Sequence, residues 1–315
     1  MMSAVAFREG RAGDLRATFE LGELAWDALR DGRNLPPDHK RDPEALQAQW
    51  RRERPLLEFI QAQAGGRFVI CEDGNTLVGY TRVARFGAMD ELTELCVVPS
   101  HGGRGVGRAL LERCWPKAPT RGLGRVVLGP GMPADLTLFT EFGAMPVSGH
   151  WDLRHRAEEY LERRSQEVDA SEPAVHALTP DRAVREWKRL EPSAIGHERP
   201  LLHDFFGRTR TCLATMGADG EGAVALCWVS SESEIGPAVA RGAADLVPVV
   251  LAALDRVAKS QEPETLGVFC ATSSWWLLDR LRRLGFRVHW PSWVMCSVPL
   301  PGLDRYLPTR PSRVL

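Results

Sequence analysis

Residues 94–115 read ELCVVPSHGGRGVGRALLERCW, and the character of the chain changes twice within them. An apolar strand over about 92–98 closes at Pro99. A turn follows, with glycines at 102, 103, 105 and 107 and arginines at 104 and 108. From Val106 the apolar residues fall at helical spacing, Val106, Leu110 and Cys114 with Ala109 and Leu111 beside them, until Pro116 stops the run. This order suits an anion. Glycines let the backbone come close and point several N–H groups at it. A helix N-terminus adds partial positive charge, worth ~0.3–1 kcal/mol per anionic group, and arginines add charge-assisted hydrogen bonds. A pyrophosphate is the natural guest. A P-loop is excluded because no Lys-Ser/Thr follows the glycines. A Rossmann turn fits poorly, since the strand follows a meander and no acidic-ended strand comes at the right distance.

Upstream, AVAFR (4–8) reads as a short strand and 12–30 as a helix whose loose apolar face carries Leu15, Phe19, Leu24, Trp26 and Leu29. A polar, Pro-containing stretch, DGRNLPPDHKRDP, leads to Pro43 and a helix over Ala45–Ala64. RFVICE (67–72) and LVGYTRVARF (77–86) are strands joined through the hairpin signal Asp73-Gly74-Asn75. Downstream, RVVLG (125–129) is a short buried strand, 134–142 a helix closed by Gly143, and 145–155 a strand.

Residues 157–172, AEEYLERRSQEVDASE, are charged and read as a short helix or linker. Beyond them the order repeats. Strands are expected at 210–215, 223–229 and 235–240, a helix at 243–258, a buried strand at 266–270, a helix at 274–284 ending at Gly285, and a strand at 286–298. Helix, short strand, helix, glycine and strand thus occur twice, which points to an internal duplication. Pro248 is expected to break or kink an early turn of its helix. Trp275, Trp276, Trp290 and Trp293 are expected to pack in a core or between domains. The Pro-rich tail, PLPGLDRYLPTRPSRVL, is expected to lie extended over the surface.

The segment V-V-P-S-H-G-G-R-G-V-G-R-A-L-L resembles the acetyl-CoA motif of the GNAT superfamily of N-acetyltransferases, whose loop reads Q/R-x-x-G-x-G/A before a helix with Leu-Leu. The order of elements over about 4–156 matches as well. The resemblance implies an α/β (α+β) fold with two GNAT-like domains, each a mixed, mostly antiparallel sheet flanked by helices. The first would cover 1–160 and bind acetyl-CoA. A linker would follow at 161–174. A degenerate copy would fill 175–315, where GPAVARGAADLVPVV keeps only Gly236 and Gly242 near the turn. Val97 and Val98 would offer backbone groups to the pantetheine arm. Gly103, Arg104, Gly105, Val106 and Gly107 would wrap the pyrophosphate, with Arg108 near phosphate. Gly102 departs from the family, standing where it has Gln or Arg. Glu94 resembles the position of a glutamate base, against the bland reading of a structural carboxylate on a strand. Phe139 occupies the place of the family's tyrosine acid and has no proton to give. Cys96, His101 and His150 are the remaining candidate acids, each more readily read as structural. Trp26, Trp50, Phe86 and Trp151 lie where the acceptor site would be, with core packing the simpler reading.

The implied activity is transfer of an acetyl group from the cosubstrate acetyl-CoA, without a metal, to a small-molecule or peptide amine. Phe139 and Gly102 motivate an alternative, a non-catalytic acyl-CoA-binding or sensing protein. A scaffold with both halves worn is disfavoured by the glycine density at 102–107. With 40 Lys+Arg against 41 Asp+Glu there is no basic excess for nucleic acid. The seven cysteines are scattered, without CxxC pairs or zinc spacing, and suit free thiols in a reducing compartment. No apolar run has bilayer length, and the N-terminus lacks a signal-peptide core. A cytoplasmic protein that does not bind membranes, with room for a homodimer, is expected.

Overall fold

The computed structural model describes residues 5–32, 42–63, 65–116, 121–167, 172–218, 220, 222–309 and 314–315. Most of the polar, Pro-containing stretch before α2 (33–41) and part of the linker (168–171) lie outside the described residues. Contacts divide the chain into two units, Met1–Arg125 with Glu141–Gly143, and Val126–Thr140 with Ala144–Leu315.

In the first unit, β1 (Ala6–Glu9), β2 (Arg67–Asp73), β3 (Thr76–Phe86) and β4 (Met89–Val97) lie in that order, each antiparallel to the next. Helix α1 (Leu15–Asp31) buries Leu15, Phe19 and Leu21. Helix α2 (Pro43–Gln61) opens with Asp42, whose carboxylate accepts the N–H of Ala45 at 2.7 Å, and with Pro43 in the first turn, where no N–H is needed. The even-numbered residues of the strands, Phe68, Ile70 and Tyr80, join Leu15, Phe19 and Leu57 in one core, with Trp50, Cys96 and Val98 packed against it. Helix α3 (Val106–Cys114) buries Val106, Leu110, Leu111 and Cys114.

Thr93 is an extra residue in β4. Val83 pairs with Leu92, but Arg82 pairs with Glu94. Such a bulge turns every later side chain of its strand to the other face. Glu94 therefore shares a face with Arg82.

In the second unit, β5 (Gly124–Gly129), α4 (Pro133–Glu141), β6 (Met145–Arg156) and α5 (Ala157–Gln166) are followed by β7 (Val175–Leu178), α6 (Pro180–Ile195) and α7 (Pro200–Thr209). Then come β8 (Arg210–Met216), β9 (Ala223–Ser230), β10 (Ile235–Ala240), α8 (Leu246–Ser260), β11 (Thr265–Ala271), α9 (Trp275–Arg283), β12 (Arg287–Cys296) and β13 (Tyr306–Leu307). One set of strands runs β13-β10-β9-β8-β7, and another β5-β12-β6-β11, with antiparallel pairing throughout the second. Strand β12 thus lies between β5 and β6, with Trp293 opposite Gly129 and Gly149. A strand of the sequence's second half thus fills a place between two strands of its first half.

The repeated order is visible in detail. Helices α4 and α9 end alike, with Ala144 N–H donating to Phe139 O and Phe286 N–H to Leu281 O, both at 3.0 Å, across Gly143 (φ +80°) and Gly285 (φ +96°). Helix α8 supplies Leu246, Val249, Val250, Leu254 and Val257 to a core shared with Leu277, Leu281 and Tyr160. Each fully buried Val or Leu there contributes about 1.5–3 kcal/mol.

Three expectations are corrected. Pro248 breaks nothing, because α8 begins at Leu246 and the proline falls in the first turn, whose N–H groups have no intrahelical acceptor. The tail is not spread on the surface: Leu303, Tyr306, Leu307, Thr309, Val314 and Leu315 are buried, and β13 pairs with β10. Trp275 and Trp276 are 77% and 66% exposed, outside the core formed by Leu277 and Leu281 on the same helix.

The tail is held by a buried polar network. Glu191 accepts from Arg199 Nη2 at 2.6 Å and from His203 Nε2 at 2.7 Å. Trp228 Nε1 donates to His203 Nδ1 at 3.2 Å, which leaves the imidazole proton on Nε2. Tyr306 donates to Leu315 O at 2.9 Å, and Arg199 Nη1 to the same oxygen at 2.6 Å. The guanidinium and imidazole hold Glu191 down at about 2 in spite of its burial.

Candidate functional site

Strand β4 and helix α3 are joined by a 3-10 turn, Pro99–His101, and the glycines. Val98 N–H donates to Val78 O at 2.9 Å, and Val98 O accepts the N–H of His101 at 2.9 Å. Both its main-chain groups are therefore engaged within the protein. In an antiparallel ladder neighbouring residues alternate in the direction of their polar groups. Those of Val97 accordingly point away from β3. Of the two valines expected to offer backbone groups to pantetheine, Val98 has its groups engaged within the protein, and those of Val97 face away from β3.

Gly103 (φ +70°) and Gly105 (φ +82°) are left-handed, a conformation that side-chained residues avoid. A Cβ at either would meet nothing within 4 Å, so open space stands over both. Gly105 caps α3, and the first intrahelical bond is Ala109 N–H to Gly105 O at 2.9 Å. The amides of Val106, Gly107 and Arg108 precede that bond and are free of the helix ladder, as at any helix start. Gly107 is half-buried, its Cα facing Val97 Cγ2.

The two arginines differ. Arg104 is exposed and has no carboxylate partner among the described residues. Arg108 forms an exposed ion pair with Glu141, whose hydrogen bond raises the arginine's pKa. Arg108 is thus already committed to Glu141, and Arg104 is not committed to a carboxylate among the described residues. Gly102 is extended (φ −61°), a conformation open to any residue, although a Cβ there would stand 3.2 Å from Pro99 O.

Glu94 is buried and fully engaged. One carboxylate oxygen takes an ion pair from Arg82 Nη1, and the other accepts from Tyr80 OH at 3.0 Å. Arg82 in turn donates to Thr18 Oγ1 at 3.2 Å and lies 4.4 Å over the Phe68 ring. Gly22 of α1 leaves room for the Tyr80 hydroxyl, which would stand 2.7 Å from a Cβ there. Tyr80, Arg82 and Thr18 are residues that the sequence reading missed. The signal present was Tyr-x-Arg on β3, which places both on one face.

A family model for the acetyltransferase (GNAT) family matches residues 24–143, which hold β4, the glycine turn and α3. Residues 24–143 are a GNAT acetyltransferase domain. Solved GNAT structures match over the rest of the chain too. A tandem GNAT protein from the clavulanic acid biosynthesis pathway aligns with 94% of this chain and 99% of its own, at 16% identity and TM-score 0.60. A GCN5-related N-acetyltransferase from Sphaerobacter thermophilus covers 95% and 97%, at 15% identity and TM-score 0.53. A protein from Pyrococcus horikoshii covers 97% and 94%, at 14% identity and TM-score 0.68. At such identities the likeness is one of fold. No curated protein matches the chain by sequence.

Within this GNAT frame the candidate acids find other work. His150 is fully buried, and burial lowers its pKa to about 3, so near neutrality it is an uncharged imidazole and not the imidazolium that a general acid needs. His101 lies between Ser100 Oγ at 3.0 Å and Asp73 at 3.3 Å. Cys96 packs against the α1 core, and Phe139 is buried beside Gly129. Trp50 meets Phe19 in a tilted contact at 5.3 Å, Phe86 stacks on Phe59 at 6.5 Å, and Trp151 packs on the α8 core. Among the described residues no group of side chains could hold a metal ion, and no helix is long and apolar enough to cross a membrane.

Proposed function

We propose that the protein is an acetyl-CoA-dependent N-acetyltransferase acting on a small-molecule or peptide amine. The observation that carries this reading is the pair of left-handed glycines, Gly103 and Gly105, open above and followed directly by the first turn of α3. The diphosphate of the cosubstrate would sit on the amides from Gly103 to Arg108, with Arg104 as the available cation, and the pantetheine arm would run along Val97. The amine attacks the thioester carbonyl, a C–N bond forms, the C–S bond breaks, and the amine proton leaves as the thiolate is released. Glu94 is the candidate base, with its carboxylate shared between Arg82 and Tyr80. The buried Phe139 supports the second reading, an acyl-CoA sensor without turnover.

Gly105→Ile tests the cradle. A β-branched residue in the left-handed region costs roughly 1–2 kcal/mol and fills the space over the turn. Calorimetry should show CoA and acetyl-CoA binding at least about tenfold weaker than to the parent protein. Failure of the parent protein to bind either compound would remove both readings. Thiol release with a panel of amines separates them, since a sensor binds without releasing thiol.

A further inference from the structure

The end of α7, the start of β8, the end of β9 and the last turn of α8 border an open surface cavity of about 400 Å³. Arg208, Arg210 and Arg256 line it, and no carboxylate does. Arg210 is already committed. It pairs with Glu234 at 2.7 Å, donates to Gly236 O at 2.5 Å and lies 4.4 Å over the Phe206 ring. Arg208 and Arg256 are different: both are exposed, and neither has a carboxylate partner among the described residues.

The remaining lining atoms sort in the same way. Thr209 donates its proton to Phe205 O, and Ser260 to Arg256 O. Thr211 and Ser231 also line it, and neither hydroxyl has a hydrogen-bond acceptor among the described residues. Two arginines without a carboxylate partner and two hydroxyl residues thus line one concavity that no acidic side chain lines. The C-terminal ends of α7 and α8 nearby carry about half a negative charge each, less than the full charges of the two arginines. Planar guanidinium forks match the oxygens of a phosphate. The volume exceeds that of a lone phosphate and leaves room for a small polar body attached to it.

We infer that this cavity binds a small phosphate monoester, held by Arg208 and Arg256 with Thr211 and Ser231. It shares no residue with the glycine turn of the GNAT domain.

The test is calorimetry on the full-length protein with CoA present in excess, so that the glycine turn is filled. Glycerol 3-phosphate, inorganic phosphate, glycerate and glycerol are titrated in turn. Glycerol 3-phosphate should bind saturably, inorganic phosphate more weakly, and glycerol not at all. Arg208→Gln/Arg256→Gln should weaken glycerol 3-phosphate by at least about tenfold, and Arg208→Lys/Arg256→Lys by less, with CoA affinity unchanged in both. Both arginines are exposed, and an unchanged melting temperature verifies the fold of each variant. No binding up to about 10 mM, binding untouched by the Gln pair, or glycerate binding as tightly as the ester would each overturn the assignment.

Discussion

Glu94 and Arg82 form a buried ion pair, and such pairs are costly to break from one side. Glu94→Gln strands the guanidinium charge and should destabilise the protein by about 3–5 kcal/mol in urea unfolding. Arg82→Met/Glu94→Gln removes both charges and should recover most of that loss. Thiol release by the double variant then decides the role of Glu94: a folded, inactive protein supports a base, and a folded, active one makes the carboxylate structural. A second prediction concerns acid. His150 has an ordinary pKa of 6.5 when exposed and about 3 in the fold, so below pH 6.5 the unfolded chain takes up a proton that the folded chain refuses. Stability therefore falls as the pH drops from 6.5 towards 3, by up to about 1.4 kcal/mol per pH unit. Burial lowers the pKa of His155 too, which acts in the same direction. Glu191, at about 2 against an ordinary 4.5, adds its own loss only between 4.5 and 2. The interval from 6.5 to 4.5 isolates the histidines, and His150→Gln should flatten the urea-derived stability curve there. A curve of unchanged slope would exclude His150 as the source. At this scale the sequence revealed what depends on backbone conformation: Gly103 and Gly105 announce themselves because few other residues accept positive φ. The partners of Glu94 stayed hidden, because the bulge at Thr93 decides which face it shares, and no alternation count detects one extra residue.

Helices and hairpins were legible where local signals are strong. Asp42-Pro43 starts α2, Gly74-Asn75 turns between β2 and β3, and Gly143 and Gly285 close α4 and α9. The tail misled because proline content suggests an exposed, extended chain, whereas burial of Tyr306 and Leu307 depends on long-range pairing with β10. The adjacent tryptophans misled through composition. Leu277 and Leu281 already fill the inner face of α9, so Trp275 and Trp276 turn outward. The tail yields a third prediction. Tyr306→Phe leaves Leu315 O and Arg199 short of a hydroxyl in a dry site, which should cost about 1–3 kcal/mol in urea unfolding. A loss below a few tenths of a kcal/mol would mean that Arg199 and the β13–β10 pairing hold the tail without the Tyr306 hydroxyl.

The duplication could be read from element order, but the placement of β12 could not, because strand neighbours distant in sequence leave no local mark. With β12 between β5 and β6, neither half of the sequence carries its complete set of strands. Residues 1–166 and 172–315 expressed apart should each lack a cooperative thermal transition by circular dichroism, and mixing them should restore one. A sharp melt of 1–166 alone would show that β5 and β6 close on each other without β12. The same placement governs biosynthesis. More than a hundred residues separate the end of β6 at Arg156 from Arg287 of β12, so β12 emerges from the ribosome on the order of ten seconds after β6. Until β11 and β12 appear, both edges of β6 and the edge of β5 that β12 will take stay unmated. They invite any passing edge of similar sequence, a neighbouring nascent copy included. Trigger-type chaperones that shield exposed edges would raise the yield of this protein more than its final stability would suggest.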